Sequence, residues 1–170
     1  MLIGIGGCSR SGKTTLADLL VWHIRSQLQA TAFVIHQDNF VKNINEIPGL
    51  GDFIDWESPT SIDFELLKEA IDFFQHRFDY VLVEGILAFA DALLNQMYDR
   101  TYFVEISENT FYQRRRQENR WGIEPMAYLD HVWKSFLQNG QPSQTQPNLL
   151  RISGKSPFKV EDITAHLLPV

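Results

Sequence analysis

Near the amino terminus, Gly7-Cys8-Ser9-Arg10-Ser11-Gly12-Lys13-Thr14 fits the pattern G-x-x-x-x-G-K-[ST], with Thr15 directly after it. The pattern has a physical reason. Glycines let the backbone curl until successive N–H groups point inward at an anion, at the positive end of a following helix. A lysine at position 13 reaches β- and γ-phosphates, and Thr14 offers a hydroxyl to Mg²⁺. Gly7, Ser9, Ser11, Gly12, Lys13, Thr14 and Thr15 are therefore expected to hold ATP, with Thr14 on the metal. The bland alternative is a chance glycine turn before a helix, and the apolar strand pattern before the loop and helical pattern after it argue against that. The loop does not decide where the phosphoryl group goes, because GTPases, motor ATPases and kinases share it.

Two carboxylates are placed to decide it. Tyr80-Val81-Leu82-Val83 is an apolar run that delivers Glu84 at its C-terminal end, the rim where ligands of open α/β sheets collect. Glu84 reads either as a partner of Mg²⁺, reached through water, or as a cap on the next turn. Asp38, in Gln37-Asp38-Asn39-Phe40, follows a second strand-like run and falls on the same rim. It can accept the proton of an attacking hydroxyl or help hold the metal; the alternative is an Asx-turn leaving the strand.

Gln113 to Trp121 crowds Arg114, Arg115, Arg116 and Arg120 onto one helix end. Unpaired buried arginines are prohibitively costly, so these face solvent or anions. In a phosphotransferase they would close over the triphosphate; otherwise they are a solvated face beside Glu118. Trp56 and Trp121 lie in segments that read as irregular, and each either stacks on a planar base or packs on the domain's own core. Trp22 and Trp133, on predicted helices, read as core. The histidines show no metal-ligand spacing and are given no chemistry. Cys8, the single cysteine, excludes an internal disulfide and a cysteine zinc site, and its place in a loop leaves it open to oxidation.

The elements that must position these groups alternate. Leu2–Ile5 reads as a strand, Lys13–Leu28 as a helix with Leu16, Leu20, Ile24 and Leu28 on one face, and Ala32–His36 as a second strand. Residues 37–60 form a long excursion with little regular structure, of a length that usually carries function. A helix over Ser61–Phe74 would bury Phe64, Leu67, Ile71 and Phe74, with Asp63 and Glu65 at its positive end. Strands follow at Tyr80–Val83, Tyr102–Ile106 and Asn148–Ile152, with a helix from Ser107 into the arginines and a last one over Val160–Leu168. Strand alternating with helix implies right-handed crossovers and a mainly parallel sheet, hence an α/β fold of three layers, α/β/α, in one domain over residues 1–170. The formal charge of −6 disfavours polynucleotide as a partner, and no apolar run approaches a membrane span. With no basic lead-in before the first strand, a cytoplasmic location is expected.

GGCSRSGKTT, HQDNF, VLVEGIL, DRTYFVEISENTFYQRRR and YLDHVW occur in that order along nearly the whole chain. In these segments the chain resembles the uridine kinase-like group of P-loop nucleoside kinases, and most of all its nicotinamide riboside kinase branch. The resemblance implies a five-stranded sheet with a lid near residues 114–126, and Mg²⁺-dependent transfer of the γ-phosphoryl group of ATP to a nucleoside 5′-hydroxyl by a monomer or homodimer. It makes Asp38 the catalytic carboxylate, Glu84 the acid near Mg²⁺ and Glu57 the acid on the ribose hydroxyls. Arg115, or a neighbour one register away, becomes the lid arginine, with Arg116 toward ATP, and Trp56 and Trp121 flank the base. Within enzymes a uridine or cytidine kinase is the alternative; from another class, a nucleotide-dependent switch with no small acceptor.

Overall fold

The computed structural model describes residues 1–51, 53–117, 122 and 124–167. Seven strands and six helices are found there: β1 (Leu2–Gly7), α1 (Lys13–Ser26), β2 (Ala32–His36), β3 (Gly49–Leu50), β4 (Phe53–Ile54), α2 (Phe64–Gln75), β5 (Tyr80–Glu84), α3 (Ala92–Met97), β6 (Arg100–Glu105), α4 (Glu108–Arg116), α5 (Met126–Asn139), β7 (Leu149–Ser153) and α6 (Val160–Ala165). Five strands form one sheet in the order β2-β5-β1-β6-β7, and every neighbouring pair in it is parallel. All six residues of β1 are buried, as a central strand covered on both faces requires.

Alternation along the strands divides the core into two layers. Leu2, Val81, Val83 and Phe103 face Leu67, Ile71, Phe111, Val132 and Phe136 of α2, α4 and α5. Ile3, Ile5, Leu82, Tyr102 and Val104 face Leu16, Leu20, Ile24 and Ile163 of α1 and α6. The result is the three-layer α/β/α arrangement expected. Gly4 and Gly6 in β1 admit aromatic rings directly onto the central strand: a Cβ at Gly4 would lie 2.8 Å from the Tyr98 ring.

Several local expectations are corrected. α2 starts at Phe64 because Asp63 caps it, accepting from the Leu66 amide at 3.0 Å, while Ser61 belongs to a 3-10 turn. Trp22 is 59% exposed rather than core, because the buried face of α1 runs through Leu16, Leu20 and Ile24 and a residue two positions from Leu20 points away from it. Trp133 does pack on the core, its ring 5.2 Å from Phe111 and 5.5 Å from Phe136. The excursion after β2 is not structureless. It contains a 3-10 turn at Gln37–Phe40, a second at Ile44–Glu46 and the β3–β4 hairpin. Its ends are tied by a Val41–Ile62 bridge and by Asp63 N–H donating to Phe40 carbonyl at 2.8 Å. That closure brings the two ends of the excursion, with Asp38 and Glu57, back to one place.

Candidate active site

The C-terminal ends of β1, β2 and β5 converge on the phosphate loop. Gly7 (φ 146°) and Gly12 (φ 108°) both take backbone conformations that favour glycine. At Gly7 a Cβ would also sit 2.6 Å from the Val104 carbonyl oxygen, so a side chain there displaces the loop. Gly12 caps α1 with no side-chain hydrogen bond, leaving the first-turn amides for an anion. Lys13 is buried and its Nζ donates to the Cys8 carbonyl at 3.0 Å, folded along the loop it serves.

Thr14 Oγ1 donates to Glu84 Oε1 at 3.1 Å, and His36 Nδ1 lies 2.8 Å from the same oxygen. A hydroxyl and a carboxylate side by side at the helix's positive end are hard oxygen donors, the set that suits Mg²⁺ bound to phosphates. The residues present fit the metal. Asp38 stands two residues beyond β2, exposed at the rim yet surrounded enough that burial raises its carboxyl above the ordinary aspartate range. Lys13 pulls it down, Glu84 pushes it further up, and His36 opposes that.

Beside the loop opens a cleft of about 650 Å³ whose lining includes Asp38, Trp56, Glu57, Arg115, Glu124 and Tyr128. Its size is that of a small-molecule site. Two serines hold the Trp56–Glu57 segment of its lining: Ser61 Oγ donates to the Trp56 carbonyl at 2.9 Å and Ser135 Oγ to the Glu57 carbonyl at 2.8 Å. Asp55 Oδ1 lies 2.7 Å from His131 Nε2, tying the same segment to α5. Trp56 is left 42% exposed while Glu57 is 7% exposed. Burial pushes the Glu57 carboxyl up to about 7; Arg115 and Lys13 draw it down, and Asp38 and Asp55 push it higher. Tyr128, 5.3 Å from the Phe53 ring, has its phenol raised to about 12, chiefly by burial and then by the charge of Glu57, so it stays protonated.

The arginines separate into different tasks. Arg115 Nε and Nη2 donate to the two oxygens of Glu124 at 2.7 and 2.8 Å, and its Nη1 donates to Ser9 Oγ at 2.7 Å, so one guanidinium bridges Glu124 and the phosphate loop. Arg114 donates to the carbonyls of Arg10 and Gly154. Arg116 is exposed and donates to Met126 Sδ at 3.2 Å. Of these three, Arg114 and Arg115 touch the phosphate loop, whereas sequence reasoning had turned Arg116 toward ATP. Arg120 and Trp121 lie outside the described residues.

The structure thus lines one opening with Ser9, Asp38, Trp56, Glu57 and Arg115; Lys13 and Glu84 are close enough to act on the Asp38 carboxyl, Thr14 is hydrogen-bonded to Glu84, Ser11 is buried within the loop, and Thr15 is exposed on α1. Tyr128, Ser135 and Glu124 were missed. Tyr128 and Ser135 are seven apart on α5 and share a helix face, a spacing that could have flagged them. His36, given no chemistry from sequence, sits on Glu84. Cys8 is corrected: it is 1% exposed and burial pushes its thiol up to about 11, so it is neither accessible nor ionised for oxidation. No helix among the described residues is long and apolar enough to cross a membrane.

No family model matches the chain. Among curated proteins it is 28% identical over 156 residues to nicotinamide riboside kinase 2 of Mus musculus, covering 80% of this chain and 77% of that protein. It is 26% identical over 141 residues to uridine kinase-like protein 3 of Arabidopsis thaliana, covering 67% of this chain and 29% of that one. Among solved structures, one described as a possible uridine kinase from Bacillus stearothermophilus superposes with a TM-score of 0.57 at 19% identity over 88% of each chain. That last likeness shows the fold alone, the three-layer α/β/α arrangement described above.

Proposed function

We propose that this chain, whose curated relatives are nicotinamide riboside kinases and a uridine kinase-like protein, transfers the γ-phosphoryl group of ATP to the ribose 5′-hydroxyl of a nucleoside, nicotinamide riboside before others. The observation that carries the reading is a single cleft beside the phosphate loop that holds Asp38, Glu57, Arg115 and Trp56 together. A nucleotide switch without an acceptor has no use for it.

The residues divide the work of an in-line transfer. Lys13, Thr14 and the loop amides bind the triphosphate, with Thr14 and Glu84 as the residues that would hold Mg²⁺. The metal, when bound, neutralises charge on the β- and γ-phosphate oxygens. The acceptor 5′-oxygen forms a bond to the γ-phosphorus as the bond to the bridging oxygen of ADP breaks, and the hydroxyl proton passes to Asp38. The raised pKa of Asp38 makes it a better proton acceptor while ionised. Arg115 stands over Ser9 of the loop, where negative charge on the transferring group is met. Glu57 takes the ribose hydroxyls, and Trp56 offers an indole face to the base. Residues 114–126 form the lid of one kinase domain over residues 1–170.

Two features favour a cationic base. Asp38 and Glu57 put acids at the acceptor end of the cleft, while Glu124 is bound by Arg115, and a cation over an indole gains roughly 1–2 kcal/mol when desolvated. A pyrimidine nucleoside is the second reading, favoured by the likeness to a uridine kinase-like protein. The test is an ADP-release assay with MgATP and nicotinamide riboside, uridine, cytidine or no acceptor at matched concentrations. A response to nicotinamide riboside alone supports the proposal, a response to pyrimidine nucleosides installs the second reading, and silence with all three despite ATP binding overturns both.

A further inference from the structure

The Thr14–Glu84 pair has a third member. β2 and β5 are parallel neighbours whose register sets His36 opposite Glu84. Register partners project from the same face of a sheet, and here the His36 ring meets the carboxylate with Nδ1 2.8 Å from Oε1. The side chain of Glu84 is 10% exposed and that of His36 is 44% exposed. Thr14 Oγ1 donates to the same Oε1. Among the described residues, no hydrogen bond to Oε2 competes with these two.

An ionised carboxylate only accepts, so the proton in the His36–Glu84 contact belongs to Nδ1, which fixes the tautomer. A carboxylate this enclosed has few donors to hold its rotamer. The backbone at the strand end is spent elsewhere: Gly85 N–H donates to the Ile5 carbonyl at 3.1 Å. Without the imidazole, the Thr14 hydroxyl is the one donor left on Oε1, and Thr14 is also needed by the metal.

We propose that His36 is a positioning residue for the metal acid: by donating from Nδ1 to Oε1 it holds the Glu84 carboxylate turned so that Oε2 and the Thr14 hydroxyl serve Mg²⁺ together. The proposal rests on the reading of Thr14 and Glu84 as the Mg²⁺ residues. It does not depend on which acceptor is phosphorylated. Partners of this outer kind are worth about 10- to 100-fold in metal affinity elsewhere.

The test measures the binding of a fluorescent ADP in EDTA and across a Mg²⁺ titration, for the unaltered protein, His36→Ala and His36→Asn. The Nδ2 of asparagine can occupy nearly the place of the imidazole Nδ1 and donate from it. The expected result is an apparent Mg²⁺ constant weakened about tenfold in His36→Ala, Mg²⁺-free ADP binding within twofold of the unaltered protein, and recovery of most of the loss in His36→Asn. Unchanged Mg²⁺ dependence in His36→Ala overturns the proposal, as does His36→Asn behaving like His36→Ala. Equal weakening of ADP binding in EDTA assigns His36 to general packing and overturns it too. If no nucleoside is phosphorylated and this pattern still appears, the acceptor reading fails and the His36 assignment stands.

Discussion

Glu57 offers the sharpest quantitative check, because its ionisation is opposed by the fold that positions it. Its carboxyl moves from an ordinary value of 4.5 to about 7, mainly through burial. Below pH 4.5 it is protonated in folded and unfolded chains alike. Between 4.5 and about 7 the unfolded chain releases the proton and the folded chain keeps it, so stability falls as pH rises; above about 7 both are ionised and the loss is complete. At 1.36 kcal/mol for each factor of ten in the ionisation constant, the full loss is about 3 kcal/mol, of which roughly 2 to 3 kcal/mol falls between pH 5 and 8. Glu57→Gln keeps the shape and removes the titration. Urea denaturation of both proteins at several pH values should show the variant gaining on the parent by about that amount from pH 5 to 8, since groups not coupled to Glu57 cancel in the difference. A difference that stays flat across this range refutes the argument, and with it the view that Glu57 is held as a strained acid for the acceptor.

Asp38→Asn should lower kcat by about 10²- to 10⁴-fold, the usual worth of a positioned base, with ATP binding by equilibrium titration unchanged; intact turnover would remove Asp38 from the reaction. Trp56→Ala should raise KM for nicotinamide riboside about tenfold, the equivalent of the 1–2 kcal/mol expected of a cation on an indole, with KM for ATP unaltered and Trp56→Phe intermediate. An equal rise for ATP would place Trp56 in the fold rather than in recognition.

What the sequence disclosed follows the range of the interaction that fixes each residue. The phosphate loop is local: eight contiguous residues set its curl, and it was legible in full. Glu84 was legible as the polar end of an apolar strand, and Asp38 as the first acid beyond another. Glu57 came only through resemblance, and Trp56 was legible only as a ring that either stacks on a base or packs on the core, because the closure of residues 37–62 by Val41, Ile62 and Asp63 depends on pairings some twenty residues apart. Ser135 reaches Glu57 across 78 residues; its spacing from Tyr128 puts both on one helix face but does not say which distant segment that face meets. The His36–Glu84 contact is set by strand register across 48 residues, which spacing alone does not reveal. Trp22 and Cys8 were misplaced for opposite reasons: a large ring was assumed to need burial, and a loop residue was assumed to lack it.

Charge is segregated within the opening, and the segregation orients the substrates. Lys13, Arg114 and Arg115 lie on the phosphate-loop side, each with a contact to a loop residue. Asp38, Glu57 and Glu124 lie along the acceptor cleft. A triphosphate entering on the basic side meets amides and cations, whereas the same anion in the cleft would meet carboxylates at close range, where unit charges interact far more strongly than in water. The reverse holds for a cationic base. Arg115 marks the boundary, since it is bound at once to Ser9 of the loop and to Glu124. Asp38 and Asp55 push the ionisation of Glu57 upward and Glu84 does the same to Asp38, which is the cost of crowding acids on one wall. A site required to hold only nucleotide would gain nothing from that crowding, so the acidic wall is itself an argument that a second, less negative substrate belongs there.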